Sequence, residues 1–384
     1  MHTLHQDLGV PPAINASGKM TALGGSVLSE AVITAMSEGA RHHVVMADLL
    51  AATGREIARV TGTEDGCPTT GAASGVAIAV AALVAGTDLS RIEALPDPGD
   101  APCEVILPRG HSVHFGAPIR QLIALGGGRP VEVGSANKVT KEHLSGAIGP
   151  RTAALLYVQS HHAVQKGMVS LAQTIDVGRE HGIPVIVDAA AEEDLRHWPT
   201  TGADLVVYSG GKAVGGPTSG MICGSARHME ACRAQYAGIA RPMKVGKETL
   251  FGLVRALRDY GADSPGGHHD RMEKLAARLA ALPGITTRVV SDEAGRDIHR
   301  TELAVDPESA GRDAAQLADE LAAAGVYLRD HHASTGRLYV DPRPLNPDEE
   351  EQLVGHLTTL LEGSKGHQRL ESDKGPAGLE GGDL

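Results

Sequence analysis

The sequence predicts an α/β protein: a large domain built on a mostly parallel sheet, then a smaller C-terminal α+β domain. Three observations predict it. Between Glu104 and Cys223, short apolar runs alternate with helical stretches: "EVIL" (104–107), "PVEV" (130–133), "AALLYV" (153–158), "IPVIV" (183–187), "DLVVY" (204–208) and "GMIC" (220–223). Runs apolar at successive positions belong to strands buried on both faces, as in parallel sheets covered by helices. "GCPTTGAASGVAIAVAALVAG" leads through a loop into a helix of small apolar residues, which needs neighbours on most sides. After about Val245 the alternation stops and longer amphipathic helices follow.

Taken in order, residues 1–25 read as extended and glycine-broken, through "INASGKMTALGGS". Ser29 is placed to cap a helix to about Glu38, with Val32, Ile33 and Met36 on one face, and a second helix spans Ala47–Val60. Another helix covers Ser170–His181. "KETLFGLVRALRDYG" (247–261) reads as a connecting helix, and Asp270–Leu282 carries Met272, Leu275 and Leu279 at helical spacing. Segments near 286–305 and 326–340 read as strands. The last helix opens with a capping pair, Asn346 with Glu349, has Pro347 in its first turn, and is expected to end at Gly363. The expected division is an N-terminal arm and helices (1–60), a large domain (61–245), a small domain (246–363) and a disordered tail (364–384). No internal repeat is evident.

Composition removes several functions. A net charge of −12 disfavours a non-specific nucleic-acid binder, while leaving room for a local basic pocket. No apolar run reaches the ~18–20 residues that span a bilayer, so no membrane association is expected. "MHTLHQDLGVPP" lacks the basic and apolar regions of a signal peptide. Cys67, Cys103, Cys223 and Cys232 are widely spaced with no CxxC, which fits buried, reduced thiols in a cytoplasmic protein.

One stretch demands explanation. "GADLVVYSGGKAVGGPTSG" (202–220) holds a single lysine, Lys212, among six glycines. A nucleotide-phosphate loop requires Ser or Thr after the lysine, and Ala213 stands there; "SGKMT" (17–21) fails likewise, and no GxGxxG follows a strand. A surface turn is the plain alternative. Three neighbours favour a lysine that bonds covalently. "IPVIVDAAAEEDL" ends a buried strand on Asp188, and carboxylates at the carboxyl ends of parallel strands face the ligand crevice, although such an Asp also serves as a helix cap. Lys212 lies 24 positions on, just past the next strand end. "TTGAAS" (69–74) offers free backbone N–H groups at a helix mouth, an anion site or simply a capped helix. Together these are the parts of a pyridoxal phosphate site: a helix terminus for the phosphate, a carboxylate for the ring nitrogen and a lysine for the aldehyde.

From Ser209 to Gly220 the sequence matches Ser-Gly-x-Lys-x-x-Gly-Gly-Pro-x-x-Gly at every fixed position. In this it resembles the selenocysteine synthase-related, fold-type-I pyridoxal phosphate enzymes. The similarity runs from "INASGKMTALGGS" through "RPMKVGKETL", and "DLLAATGREIARVTGTEDG" (48–66) resembles the D-glucosaminate-6-phosphate ammonia-lyase branch. The resemblance implies an aspartate-aminotransferase-like fold and a homodimer or higher homo-oligomer with its site at a subunit boundary. It makes Lys212 the catalytic, cofactor-bonding lysine and Asp188 the partner of the ring nitrogen. Thr70, Gly71, Ala72 and Ser209 become phosphate ligands. His111 would stack on the ring, with His114 as fallback and a core or surface histidine as the alternative. Ser160 or His161 would reach the phenolic oxygen, and His111 or His161 would serve as catalytic acid. Arg337 and Arg343 suit a substrate carboxylate by their planar fork. Arg241, Lys244, Lys19 and Arg41 are candidates for a distal phosphate, the last two from a partner chain; any of these cations can equally be plainly solvated. No metal is expected, since residues in the doublets His42–His43, His161–His162, His268–His269 and His331–His332 do not face one way.

The implied reaction is α,β-elimination on a hydroxylated amino acid, giving ammonia and a 2-keto-3-deoxy acid. Racemisation, aldol cleavage and transamination use the same cofactor and are the stronger rivals. Selenium transfer onto seryl-tRNA is disfavoured by the charge and by the absence of an evident RNA-binding domain, and a cofactor-binding protein without turnover by the complete Lys, Asp and anion-loop set.

Overall fold

The computed structural model describes residues 3–160, 162–261, 268–293 and 295–372. The chain divides into two compact units, one of Gly25–Asp263 and one of Met1–Gly24 with Ser264–Leu384. Residues 25–60, expected to belong with the N-terminal arm, fall in the first unit. So does the helix Lys247–Asp259, because its buried face (Leu250, Leu253, Ala256, Leu257) packs against the helices Glu30–Arg41 and Met46–Thr61.

Strands are numbered along the chain. The first, β1 (Ile14–Ala16), belongs to the smaller unit. The larger unit carries β2 (Asp65–Thr69), β3 (Glu104–Pro108), β4 (Arg129–Val133), β5 (Thr152–Val158), β6 (Val185–Asp188), β7 (Leu205–Ser209) and β8 (Gly220–Gly224). They form one sheet in the order β2-β8-β7-β6-β5-β3-β4. Every pairing from β7 to β4 is parallel, and β8 runs antiparallel to both β2 and β7. Within each parallel strand, successive residues enter opposite cores. Val105 and Leu107 face one layer and Ile106 the other, and Leu205 and Val207 oppose Val206 and Tyr208. This two-sided burial is what the unbroken apolar runs encode, each fully buried aliphatic side chain contributing about 1.5–3 kcal/mol. The small-residue helix Ala72–Ala85 lies almost wholly inside the first layer.

Strand β2 falls where the sequence predicts a loop. Its sequence "DGCPT" holds Gly66 and Pro68, which carry no strand signal, and proline is tolerated because β2 is an edge strand.

In the smaller unit, β9 (Ile285–Ser291), β10 (His299–Val305) and β12 (Arg337–Val340) form an antiparallel sheet in the order β12-β10-β9, and β1 pairs in parallel with β11 (Val326–Leu328). The helix Pro347–Ser372 opens with the expected reciprocal cap, Glu349 N–H to Asn346 Oδ1 and Asn346 N–H to Glu349 Oε2, both 2.9 Å. It runs nine residues past the expected stop at Gly363, since a single glycine costs only ~1 kcal/mol in a helix. Residues 364–372, expected to be disordered, are therefore helical, and 373–384 lie outside the described residues.

Candidate active site

The parallel strands deliver their carboxyl ends to one edge of the sheet. Thr69, Ser209, Asp188, Val158 and Pro108 close β2, β7, β6, β5 and β3 there, and Gly220 opens β8 opposite both Thr69 and Ser209. Thr70, His111, Ser160 and Lys212 follow four of those ends, and Asp188 is itself the fifth.

Lys212 sits half-buried in the connection from β7 back to β8. That connection is pinned at both ends: Gly210 N–H bonds to Ser219 O (2.9 Å), Gly216 N–H to Gly210 O (2.8 Å), and Ser26 Oγ–H to Gly211 O (3.0 Å). The glycine at 210 answers to space, because a Cβ there would lie 2.2 Å from Ser219 Oγ. Lys212 thus hangs from a fixed backbone.

Asp188 terminates β6, 5 % exposed. It shares the strand parity of Ile186, whose layer includes the Ala72–Ala85 helix. Its carboxylate accepts the Ala190 N–H (3.1 Å). Burial pushes its pKa up to about 6, against the opposing pulls of that hydrogen bond and of the Lys212 charge.

His111 follows β3 and is fully buried. Its Nδ1 accepts the N–H of Val158 (3.2 Å), the residue paired with Asp188 across β5 and β6. An accepting Nδ1 puts the ring proton on Nε2, and Nε2 is buried with no hydrogen-bond partner among the described residues. Tyr157 meets the ring edge-on, centroids 4.5 Å apart. Burial lowers the imidazole pKa to about 4, so the ring is neutral at neutral pH.

At the mouth of the Ala72–Ala85 helix, Gly71 is the N-cap residue and no side chain caps the first-turn N–H groups. Thr70 Oγ1–H bonds to Ser74 Oγ (3.0 Å), whose proton goes to Gly71 O (2.7 Å). The first-turn N–H groups stay open to an anion, with the helix dipole behind them. This mouth is pressed onto β8: a Cβ on Gly220 would lie 2.3 Å from the Gly71 carbonyl carbon.

Ser160, half-buried, follows β5 and accepts the His162 N–H on Oγ (3.2 Å). His161 lies outside the described residues. His114, the fallback for His111, is exposed, as are Arg41, Arg241 and Lys244. In the smaller unit Lys19 is half-buried, Arg337 is exposed and Arg343 is held bidentately by Asp341 (2.9 and 2.8 Å). Arg329, which sequence reasoning did not single out, is buried after β11 with no side-chain hydrogen bond or ion pair among the described residues. All four cysteines are buried and free, and no described helix is long and apolar enough to cross a membrane.

The model of the family "SelA: L-seryl-tRNA selenium transferase" matches residues 13–282. A 5'-C-glycyluridine monooxygenase-decarboxylase of a Streptomyces species is 52 % identical, over 99 % of this chain and 95 % of that protein. A D-glucosaminate-6-phosphate ammonia lyase of Salmonella typhimurium is 42 % identical, over 94 % and 98 %. The solved structure of a D-glucosaminate-6-phosphate ammonia-lyase superposes with a TM-score of 0.89 at 41 % identity, covering 95 % of this chain and all of the other. More distant structures, such as aspartate aminotransferase from Thermus thermophilus (16 % identity, TM-score 0.54, 93 % and 94 % covered), share the fold alone. The architecture is thus the aspartate-aminotransferase-like, fold-type-I one, and the chain is an enzyme of the lyase kind. Its family and its aminotransferase-like neighbours are pyridoxal phosphate enzymes. With a lysine loop, a buried carboxylate and an open helix mouth at one sheet edge, and with sequence similarity along nearly its whole length, the chain belongs to the L-seryl-tRNA selenium transferase (SelA) family.

Proposed function

We propose that this lyase holds pyridoxal phosphate at the carboxyl edge of its large sheet and eliminates ammonia from a β-hydroxylated α-amino acid of the D-glucosaminate 6-phosphate kind, leaving a 2-keto-3-deoxy acid. The observation that carries the reading is the buried His111 Nε2–H without an acceptor, one strand from Asp188, whose carboxylate is raised by burial beside Lys212. Such groups are costly unless a ligand satisfies them. The residues fit the cofactor. Thr70, Gly71, Ala72 and Ser209 would hold its phosphate, Asp188 its ring nitrogen and Lys212 its aldehyde carbon. Arg241, Lys244, Lys19 and Arg41 remain candidates for the substrate's distal phosphate. Exposed Val27, Val45 and Met46 support a homo-oligomer, and a small-molecule substrate fits a cytoplasmic enzyme.

When bound, the cofactor supplies an electron-withdrawing ring that stabilises negative charge at the substrate's α-carbon. The Lys212 amine takes the α-proton. Since His111 is neutral, it acts as a hydrogen-bond donor through Nε2–H and not as an imidazolium acid. The proton gained by Lys212 is then the one the departing β-hydroxyl needs to leave as water. One water leaves and one is consumed when ammonia is released, so the net change is loss of ammonia alone. Cofactor-supplemented protein should release ammonia and 2-keto acid in equal amounts from D-glucosaminate 6-phosphate. No turnover with the cofactor bound would remove this substrate.

A second reading rests on the 52 % identical relative, named for oxygenation and decarboxylation. It predicts oxygen uptake and carbon dioxide release, and so failure under anaerobic conditions, where elimination proceeds unchanged.

A further inference from the structure

The segment that carries His111 is gripped from the neighbouring strand. β3 ends at Pro108, and residues 109–118 lead into the helix Ile119–Leu125. On β4, Val131 and Val133 pack into one core layer, so strand alternation turns Glu132 to the other face, beside its register partner Leu107 of β3. There Glu132 Oε1 accepts the Ser112 Oγ–H at 2.6 Å and lies 3.3 Å from Arg120 Nε. Glu132 Oε2 lies 3.8 Å from Arg109 Nε. Residues on both sides of His111, and the first turn of the following helix, thus converge on one carboxylate.

The three contacts are unequal. Both arginines are exposed, and exposed ion pairs contribute little. The Ser112 bond is short, half-buried and charge-assisted, so it is the contact that holds. Ser112 follows His111 directly, and the His111 ring has a narrow target: its Nδ1 must meet the Val158 N–H, 3.2 Å away on β5. On the other side of the ring's backbone, the Gly110 carbonyl accepts the Val164 N–H at 3.0 Å. We propose that Glu132 is a positioning residue for His111: through Ser112 it holds the imidazole where Nδ1 accepts the Val158 N–H, and so sets the direction of the Nε2–H donor. The placement of His111 is independent of the function proposed above; only its consequence for the cofactor rests on that reading. The plainer role for Glu132 is a charge on an edge strand, which would involve neither Ser112 nor Val158.

The test is hydrogen exchange, resolved to single amides, on the cofactor-free protein. Glu132→Ala should speed exchange of the Val158 amide by about tenfold or more. Leu155, on the same strand with its N–H bonded to Pro184 O (2.9 Å), should keep its rate. Glu132→Gln, which can still accept from Ser112, should stay within about threefold of wild type. Ser112→Ala should match Glu132→Ala, and carries the test if that variant does not fold. A Glu132 that only supports the strand edge would leave Val158 unchanged, or would speed both amides together in step with a lower melt. Either result overturns the proposal, as does a glutamine variant no better than alanine. A cofactor titration then reads the consequence. Glu132→Ala should bind pyridoxal phosphate several-fold more weakly than wild type, yet add no weakening to His111→Phe, because its effect runs through His111. Equal weakening in both backgrounds overturns that link. Wild-type protein that binds no cofactor would instead fail the function proposed above, and the exchange rates alone would still decide the role of Glu132.

Discussion

Replacing Asp188 by asparagine isolates what this carboxylate costs the cofactor-free fold. The carboxyl is 5 % exposed, and burial lifts its pKa from 3.8 to about 6. A raised folded-state pKa means that the folded protein holds the proton more tightly than the unfolded chain. The associated stability is fully present below about pH 4 and is lost as pH rises through about 6. About two pKa units at about 1.4 kcal/mol each put the cost near 3 kcal/mol at pH 7. Asparagine keeps the shape, can still accept the Ala190 N–H, and carries no charge at any of these pH values. Cofactor-free Asp188→Asn should therefore melt close to wild type at pH 4 and roughly 6–12 °C above it at pH 7, taking about 2–4 °C per kcal/mol. The assay is a melt series from pH 4 to 8 on both proteins. A difference that does not change with pH, or an asparagine variant that is less stable at pH 7, would refute the reasoning.

With the cofactor added, the order reverses. In the proposed site the aspartate would pair with the cofactor's ring nitrogen, and removing one member of a buried charge pair costs on the order of 2–5 kcal/mol. Asp188→Asn should thus bind pyridoxal phosphate at least tenfold more weakly, read from the visible absorbance during a cofactor titration. The two signs together distinguish a carboxylate kept for a ligand from one kept for the fold.

The other expectations follow from named contacts. Gly220→Ala should cost about 1–3 kcal/mol in a melt, because the new methyl meets the Gly71 carbonyl carbon at 2.3 Å, whereas Gly71→Ala, with nothing within 4 Å and an extended backbone, should be tolerated. Lys212→Ala should lower turnover by 10²-fold or more, on the order of a lost general base, and should abolish borohydride-fixed cofactor while leaving the melt of the cofactor-free protein within about 1 kcal/mol. His111→Phe keeps the packing on Tyr157 but leaves the Val158 N–H without its acceptor, so it should cost about 1–3 kcal/mol of stability along with cofactor affinity.

Much of the fold was legible because its signals are local. Buried strands announce themselves as apolar runs, Ser29 and Asn346 cap the helices they precede, and the spacing from Asp188 to Lys212 follows from one strand lying between them. Strand β2 escaped because an edge strand needs no β-branched run when its ladder partner β8 supplies the pairing. His111 was singled out only through the resemblance. What the sequence does not carry is its tautomer, fixed by a backbone N–H 47 residues away.

The arginines show the same limit more sharply. Arg337 and Arg343 have the planar fork that substrate carboxylates favour, and so does every arginine in the chain. What separates them is which acceptors are already spent. Arg343 is spent on Asp341, two residues before it, and Arg300 on both Asp341 and Asp292, which lie 41 and 8 positions away. Arg329 is distinguished by the acceptor it lacks, and a lack of that kind is a property of the folded neighbourhood alone. Under the proposed cofactor site, elimination and its rival reactions would draw on the same lysine and carboxylate. Choice among them turns on which bond at the α-carbon stands perpendicular to the cofactor ring, and that angle is set by whatever grips the substrate away from that carbon. The lysine motif that such enzymes share therefore leaves the choice of bond open.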